Sequence, residues 1–131
     1  MYLVDTNILL EGLLEQEKAQ TVRSFFQTID PGQIFITDLS LHSIGIILFR
    51  LGEYNLFGAF LDDLIIDGIG TLSLESHELR ELDKVAERFR LDFDDAYQYM
   101  VADKHNFQLI SFDSDFDKTT RGRKEPEEVF Q

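Results

Sequence analysis

Residues 94–115 read DDAYQYMVADKHNFQLISFDSD. The first half has Ala96, Tyr97 and Met100 at helical spacing, with Phe93 just ahead on the same predicted buried side. The second half, Gln108 to Ser111, is a short apolar run that predicts a strand, and acids follow it at Asp113 and Asp115. A helix that opens with two acids leads into a strand that closes with two more.

The N-terminus repeats half of that pattern. MYLVDTN, residues 1–7, places an apolar strand, Tyr2 to Val4, directly before Asp5. ILLEGLL after Asn7 continues as a helix, and Ala19, Val22, Phe25, Phe26 and Ile29 mark a second one. Asp30-Pro31-Gly32 stops it, and Ile34 to Ile36 is a second strand. Thr37 and Asp38 are placed to cap a helix over Leu39 to Leu51, ended by Gly52. Further helices are predicted over Tyr54 to Ile66 and along Leu79, Leu82, Val85, Ala86 and Phe89. A third strand falls within Ile69 to Leu74, and Val129-Phe130 reads as a last edge strand. Short strands alternating with helices predict a three-layer α/β/α sandwich with a mostly parallel central sheet, one domain over residues 1–131.

Composition narrows the class. The formal charge of −13 disfavours non-specific nucleic-acid binding, which rewards Lys and Arg, so such a role needs cations or a local basic patch. Lys118, Arg121, Arg123 and Lys124 form the one dense positive cluster, readable as a phosphate contact or as a solvated tail. The absence of cysteine excludes thiolate metal sites and suits a reducing cytoplasm. No apolar run reaches the roughly 18 residues of a membrane span, and the start lacks a signal-peptide pattern.

In a parallel sheet, ligands bind beyond the carboxyl ends of the strands. Asp5 and Asp113 both lie there if their strands are neighbours, and an antiparallel helix brings Asp95 to the same edge. Converging carboxylates raise one another's pKa unless a cation sits among them. Hard divalent cations take oxygen ligands, and such a centre suits phosphodiester hydrolysis. Each acid also has a structural reading: Asp5 and Asp94 as helix caps, and Asp113, Asp115 and Asp117 as a solvated loop.

VDTN at the N-terminus, DDA opening a late helix and LISFDSDF after the next strand together resemble the PIN domain, in order and spacing over nearly the whole chain. The resemblance implies a compact α/β nuclease, in many members a toxin ribonuclease of the virulence-associated protein C type. It implies Mg²⁺ or Mn²⁺ on Asp5, Asp95 and Asp113, with Asp115 assisting. Ser111 stands where members hydrogen-bond the first Asp, and Asn7 where a small polar residue steadies the site. An RNA substrate, an antitoxin protein and a homodimer are also implied. Ile44 to Phe49 and Phe57 to Leu64 could supply the dimer surface or equally the core. One departure stands out. In TDLSLHSIG, residues 37–45, Thr37 and Ser40 fit the family pattern, but Ser43 occupies the place of its usual Glu. Neighbouring His42 could be a nitrogen ligand or a packed side chain, and Asp38 could reach inward or cap. Two functions therefore remain open: a metal-dependent ribonuclease on three carboxylates, or a catalytically weakened PIN-fold binding or regulatory protein.

Overall fold

A computed structural model describes residues 1–130; Gln131, the last residue of the span expected to form the domain, lies outside the described residues. Four strands, β1 (Tyr2–Val4), β2 (Ile34–Thr37), β3 (Gly70–Leu72) and β4 (Gln108–Ile110), form one sheet in the order β3-β2-β1-β4. Every pairing is parallel. The helices are α1 (Thr6–Leu13), α2 (Ala19–Thr28), α3 (Asp38–Arg50), α4 (Tyr54–Asp67), α5 (Ser76–Leu79), α6 (Leu82–Phe89) and α7 (Phe93–His105).

The three layers follow from the period-two alternation of strand side chains. Leu3 and Leu109 face a core built with Phe89, Ala96, Tyr99, Val101 and Phe116, under α6 and α7. Their neighbours Val4 and Ile110, with Ile34 and Ile36, face the opposite core of Ile8, Val22, Phe25, Ile44, Leu48 and Phe60, under α1 to α4. Both faces are covered, which is why the strands read as unbroken apolar runs rather than as an alternation.

Local chemistry sets the boundaries. Asp5 is the N-cap of α1, its carboxylate accepting from the Thr6 N–H at 2.8 Å. Thr37 caps α3 by accepting from the Ser40 N–H at 3.0 Å, and Asp38 lies in the first turn. Beyond α3, Gly52 adopts φ +72°, the left-handed conformation expected of it.

Several expected details differ. The helix predicted along Leu79 to Phe89 is two elements. Glu75 and Glu78 cap each other's backbone to close the short α5, and Leu79 at its end is exposed while Leu82 and Phe89 of α6 are buried. Phe93 is 58% exposed because it is the first residue of α7, ahead of the turn whose face packs on the sheet. Asp94 caps nothing; Asp92 is the N-cap residue of α7 and makes no side-chain cap bond. Val129-Phe130 forms no strand. Lys124 instead makes a parallel bridge to Ile110, and Pro126 with the reciprocal Glu125–Glu128 cap turns the chain away, leaving Val129 and Phe130 packed on the α1–α4 core.

The sheet also contains one very close approach. A Cβ on Gly70 would lie 2.5 Å from Cδ1 of Phe35, whose ring is backed by Phe107 at 4.9 Å between centroids. Gly70→Ala is therefore expected to lower stability by about 1–3 kcal/mol, measured by urea unfolding.

Candidate metal centre

Strand register builds the site. Val4 is opposite Ile110, and the Asp5 N–H donates to the Ile110 carbonyl at 2.9 Å, so Asp5 and Ser111 emerge side by side at the carboxyl edge. Antiparallel α7 runs into β4 through Asn106 in the left-handed conformation, which puts the Asp94–Asp95 turn at the same edge. The 3₁₀ turn Ser114–Lys118 follows β4, with Asp113 at its cap: the Asp113 carboxylate accepts from the Asp115 N–H at 2.8 Å.

These elements enclose a cleft of about 410 Å³ lined by Asp5, Asn7, Ser43, Asp94, Asp95 and Asp113, with an aliphatic wall of Leu10, Ile46 and Ile47. Carboxylate oxygens of Asp95, Asp113 and Asp115 lie within 4.8 Å of one another. Asp5 is outside that tight trio but close enough for its charge to act on Asp95.

Asp5 is 6% exposed and held entirely by donors. Oδ1 accepts from the Thr6 N–H and, at 3.1 Å, from Gln98 Nε2; Oδ2 accepts from Ser111 Oγ at 2.7 Å. Ser111 Oγ in turn accepts from Asn7 Nδ2 at 3.2 Å and from the Asp113 N–H at 3.0 Å. Asn7 Oδ1 accepts from the Phe112 N–H. Ser111 thus bonds Asp5 directly and Asn7 bonds Ser111, and Asp5 is at once a helix cap and a wall of the cleft.

Desolvation pushes the Asp5 carboxyl above the usual range despite its three donors, and Asp113 adds to the rise. Asp95 is raised to about 8, first by desolvation, then by the charges of Asp113 and Asp5. The raised carboxyls of Asp5 and Asp95, crowded beside Asp113 and Asp115, suit a hard divalent cation, which takes the place of the proton and prefers oxygen ligands. Asp5, Asp95, Asp113 and Asp115 fit such an ion.

Other candidates do not reach the cleft. His42 is exposed beside Leu41, Gly45 and Phe49, and Asp38 accepts from the Tyr97 hydroxyl at 2.7 Å. Three of the four clustered cations are tied internally. Lys118 donates to the Arg90 carbonyl, Arg121 to Asp103, Asn106 and the Phe107 carbonyl, and Arg123 to Asp117 and the Ser111 carbonyl. They are struts of the C-terminal loop, neither a free phosphate patch nor a loose tail. Gln98 escaped the sequence reading, and Ser40 entered it only as a match to the family pattern. Both are buried polar groups on apolar helix faces, and the one signal for Gln98 was polarity at an inward-facing helical position.

A parallel α/β sandwich with acids gathered at its carboxyl edge has a candidate cation-binding centre there. The PIN domain family model matches residues 2–122, and the chain belongs to that family, whose members are generally nucleases that use divalent ions. Comparison with curated proteins finds no match. Solved structures share the fold at low identity. Mycobacterium tuberculosis VapC20, a sarcin–ricin-loop-cleaving toxin, is 16% identical with TM-score 0.79, covering 92% of this chain and 96% of its own. A toxin–antitoxin complex from Klebsiella pneumoniae is 15% identical with TM-score 0.74, covering 96% and 98%. PAE2754 from Pyrobaculum aerophilum is 23% identical with TM-score 0.69, covering 98% and 92%.

Proposed function

We propose that this chain is a divalent-cation-dependent ribonuclease, acting as one domain in the cytoplasm as the toxin of a toxin–antitoxin pair. The observation that carries the reading is the acid cluster itself. Asp95, Asp113 and Asp115 crowd within 4.8 Å beside buried Asp5, and burial with mutual repulsion holds the Asp95 proton to about pH 8. Asp5, Asp95 and Asp113 would hold Mg²⁺ or Mn²⁺, with Asp115 assisting. When bound, the ion supplies charge neutralisation for a phosphodiester and activation of water. The chain's own residues keep the acids in place: Ser111 and Asn7 fix Asp5, and the Asp113 backbone N–H is anchored on Ser111 Oγ.

VapC20 and the Klebsiella pneumoniae complex lend support to the RNA substrate and the antitoxin partner. The charge of −13 suits a partner that brings basic residues to the cleft. A homodimer would use the rim of α3 and α4. Ile44, Leu48, Phe60 and Leu64 of that region are core, while Ile46, Phe49 and Tyr54 are exposed.

Ser43 favours the second reading, a weakened binding or regulatory protein, because it lines the cleft as a hydroxyl where the family's usual Glu would add a carboxylate. Incubation with labelled single-stranded and hairpin RNA, flap DNA and duplex DNA, with Mn²⁺ or with EDTA, separates the two. RNA cleavage that requires the ion and falls on the order of 10²–10³-fold in Asp113→Asn is expected. Mn²⁺ binding without cleavage of any RNA would move the assignment to the regulatory reading.

A further inference from the structure

The acids of the cleft account for its charge but not for the way Asp5 is held. Gln98, in the middle of α7, is 2% exposed. Its Nε2 donates to Asp5 Oδ1 at 3.1 Å and to Ser40 Oγ at 2.7 Å, while its Oε1 is buried with no partner among the described residues. Turning the amide over would give Oε1 a hydroxyl but set it against the Asp5 carboxylate, acceptor on acceptor. The network therefore fixes the orientation and leaves one oxygen unsatisfied.

Ser40 is the clamp. Its Oγ accepts from Gln98 and from Thr37 Oγ1 at 3.3 Å, so its own proton goes to Thr6 Oγ1 at 2.8 Å. Thr37 Oγ1 also caps α3 by accepting from the Ser40 N–H. The amide is thus tied to two rigid features, the α3 cap and the start of α1.

The acceptor positions on Asp5 can then be assigned. A carboxylate offers about four, two on each oxygen. Thr6 and Gln98 occupy both on Oδ1, and Ser111 occupies one on Oδ2. We propose that Gln98 is the positioning residue of Asp5: its amide, clamped by Ser40, occupies Oδ1 so that Oδ2 presents the single acceptor left for a divalent cation. A buried apolar residue would fill the same space without an orphaned oxygen, so packing alone does not explain the amide. The inference rests on the cation-dependent reading proposed above.

Mn²⁺ titration by calorimetry tests it on the full-length wild type, Gln98→Met, Ser40→Ala and the double variant. Gln98→Met should weaken Mn²⁺ affinity about 10–100-fold, the usual effect of removing a group that orients a ligand. Its melting temperature should fall modestly, because Asp5 Oδ1 and Ser40 Oγ each lose a buried donor while the orphaned oxygen goes with the amide, so affinity is compared at a temperature where both proteins are folded. Ser40→Ala should weaken affinity less, and the double variant should be no worse than Gln98→Met, since both remove one linkage. In the cation-free wild type, the Gln98 side-chain amide protons should exchange far more slowly than those of surface glutamines. Equal Mn²⁺ affinity in wild type and Gln98→Met, additive losses in the double variant, or fast amide exchange would each overturn the positioning role and leave the nuclease reading intact. Mn²⁺ binding that weakens in Gln98→Met, in a protein that cleaves no RNA, would remove the nuclease reading and keep the positioning role.

Discussion

Asp95→Asn is expected to abolish Mn²⁺ binding and reduce RNA cleavage on the order of 10²–10³-fold while making the cation-free protein more stable at pH 8. The two effects have one cause. Asp95 lies partly buried among Asp113 and Asp5, and its carboxyl keeps its proton to about pH 8. The unfolded chain releases that proton near pH ~3.9. Between these values the folded state binds more protons than the unfolded one, so stability falls as pH rises from about 4 through about 8. An amide carries no charge, does not titrate and removes this loss. Thermal unfolding in EDTA at pH 5 and pH 8 should show a declining melting temperature for the wild type and a flatter one for Asp95→Asn. A steeper decline in the variant would mean that Asp95 is not the group being forced to ionise. Saturating Mn²⁺ should restore the wild type at pH 8 and leave the variant unmoved, because an ion that binds only the folded state stabilises it by mass action.

Asp5→Asn should also silence the protein, but it should unfold more easily. Every partner of this carboxylate donates. Thr6 offers a backbone N–H and Gln98 a side-chain N–H. Ser111 must give its proton to Asp5 because Asn7 and Asp113 already donate to its oxygen. An asparagine therefore points its NH₂ at a donor in either orientation. A donor left without an acceptor in this buried setting costs about 1–3 kcal/mol. Relief of the buried charge offsets part of that cost, since burial pushes the Asp5 carboxyl up. A melting temperature several degrees below wild type is the expected outcome. Stability at or above wild type would show that the hydroxyl of Ser111 points elsewhere. Two substitutions with the same chemistry, ninety positions apart in one cleft, are thus expected to move stability in opposite directions.

That contrast also marks where the sequence stops being informative. The layer order was legible, because four short apolar runs separated by helical spacings allow few arrangements. Asp5, Asp113 and Asp95 could be placed on one edge for the same reason: acids after parallel strands, or before an antiparallel helix, share an end of the sheet. Ser111 as the partner of Asp5 followed from family pattern and is delivered by the register of Val4 against Ile110. Phe93 misled, because helical spacing identifies a face but not whether the first residue of the helix is covered. The basic cluster misled in a different way. Charge density along a chain says nothing about whether each cation has a carbonyl or carboxylate waiting, and three of them do.

The sequence alone determined the alternation of strand and helix, the edge on which the acids gather and the hydroxyl, Ser43, that stands where the PIN resemblance implies a Glu. These are one-dimensional properties, set by the periods of the backbone and by residue type. Only the tertiary structure decided that Asp115 joins Asp95 and Asp113 in the tight group while Asp5 stands outside it, and that the Gln98 amide donates to Asp5. Those facts depend on distances of a few ångströms between segments far apart in the chain, and hydrogen bonding and charge repulsion change over that same range.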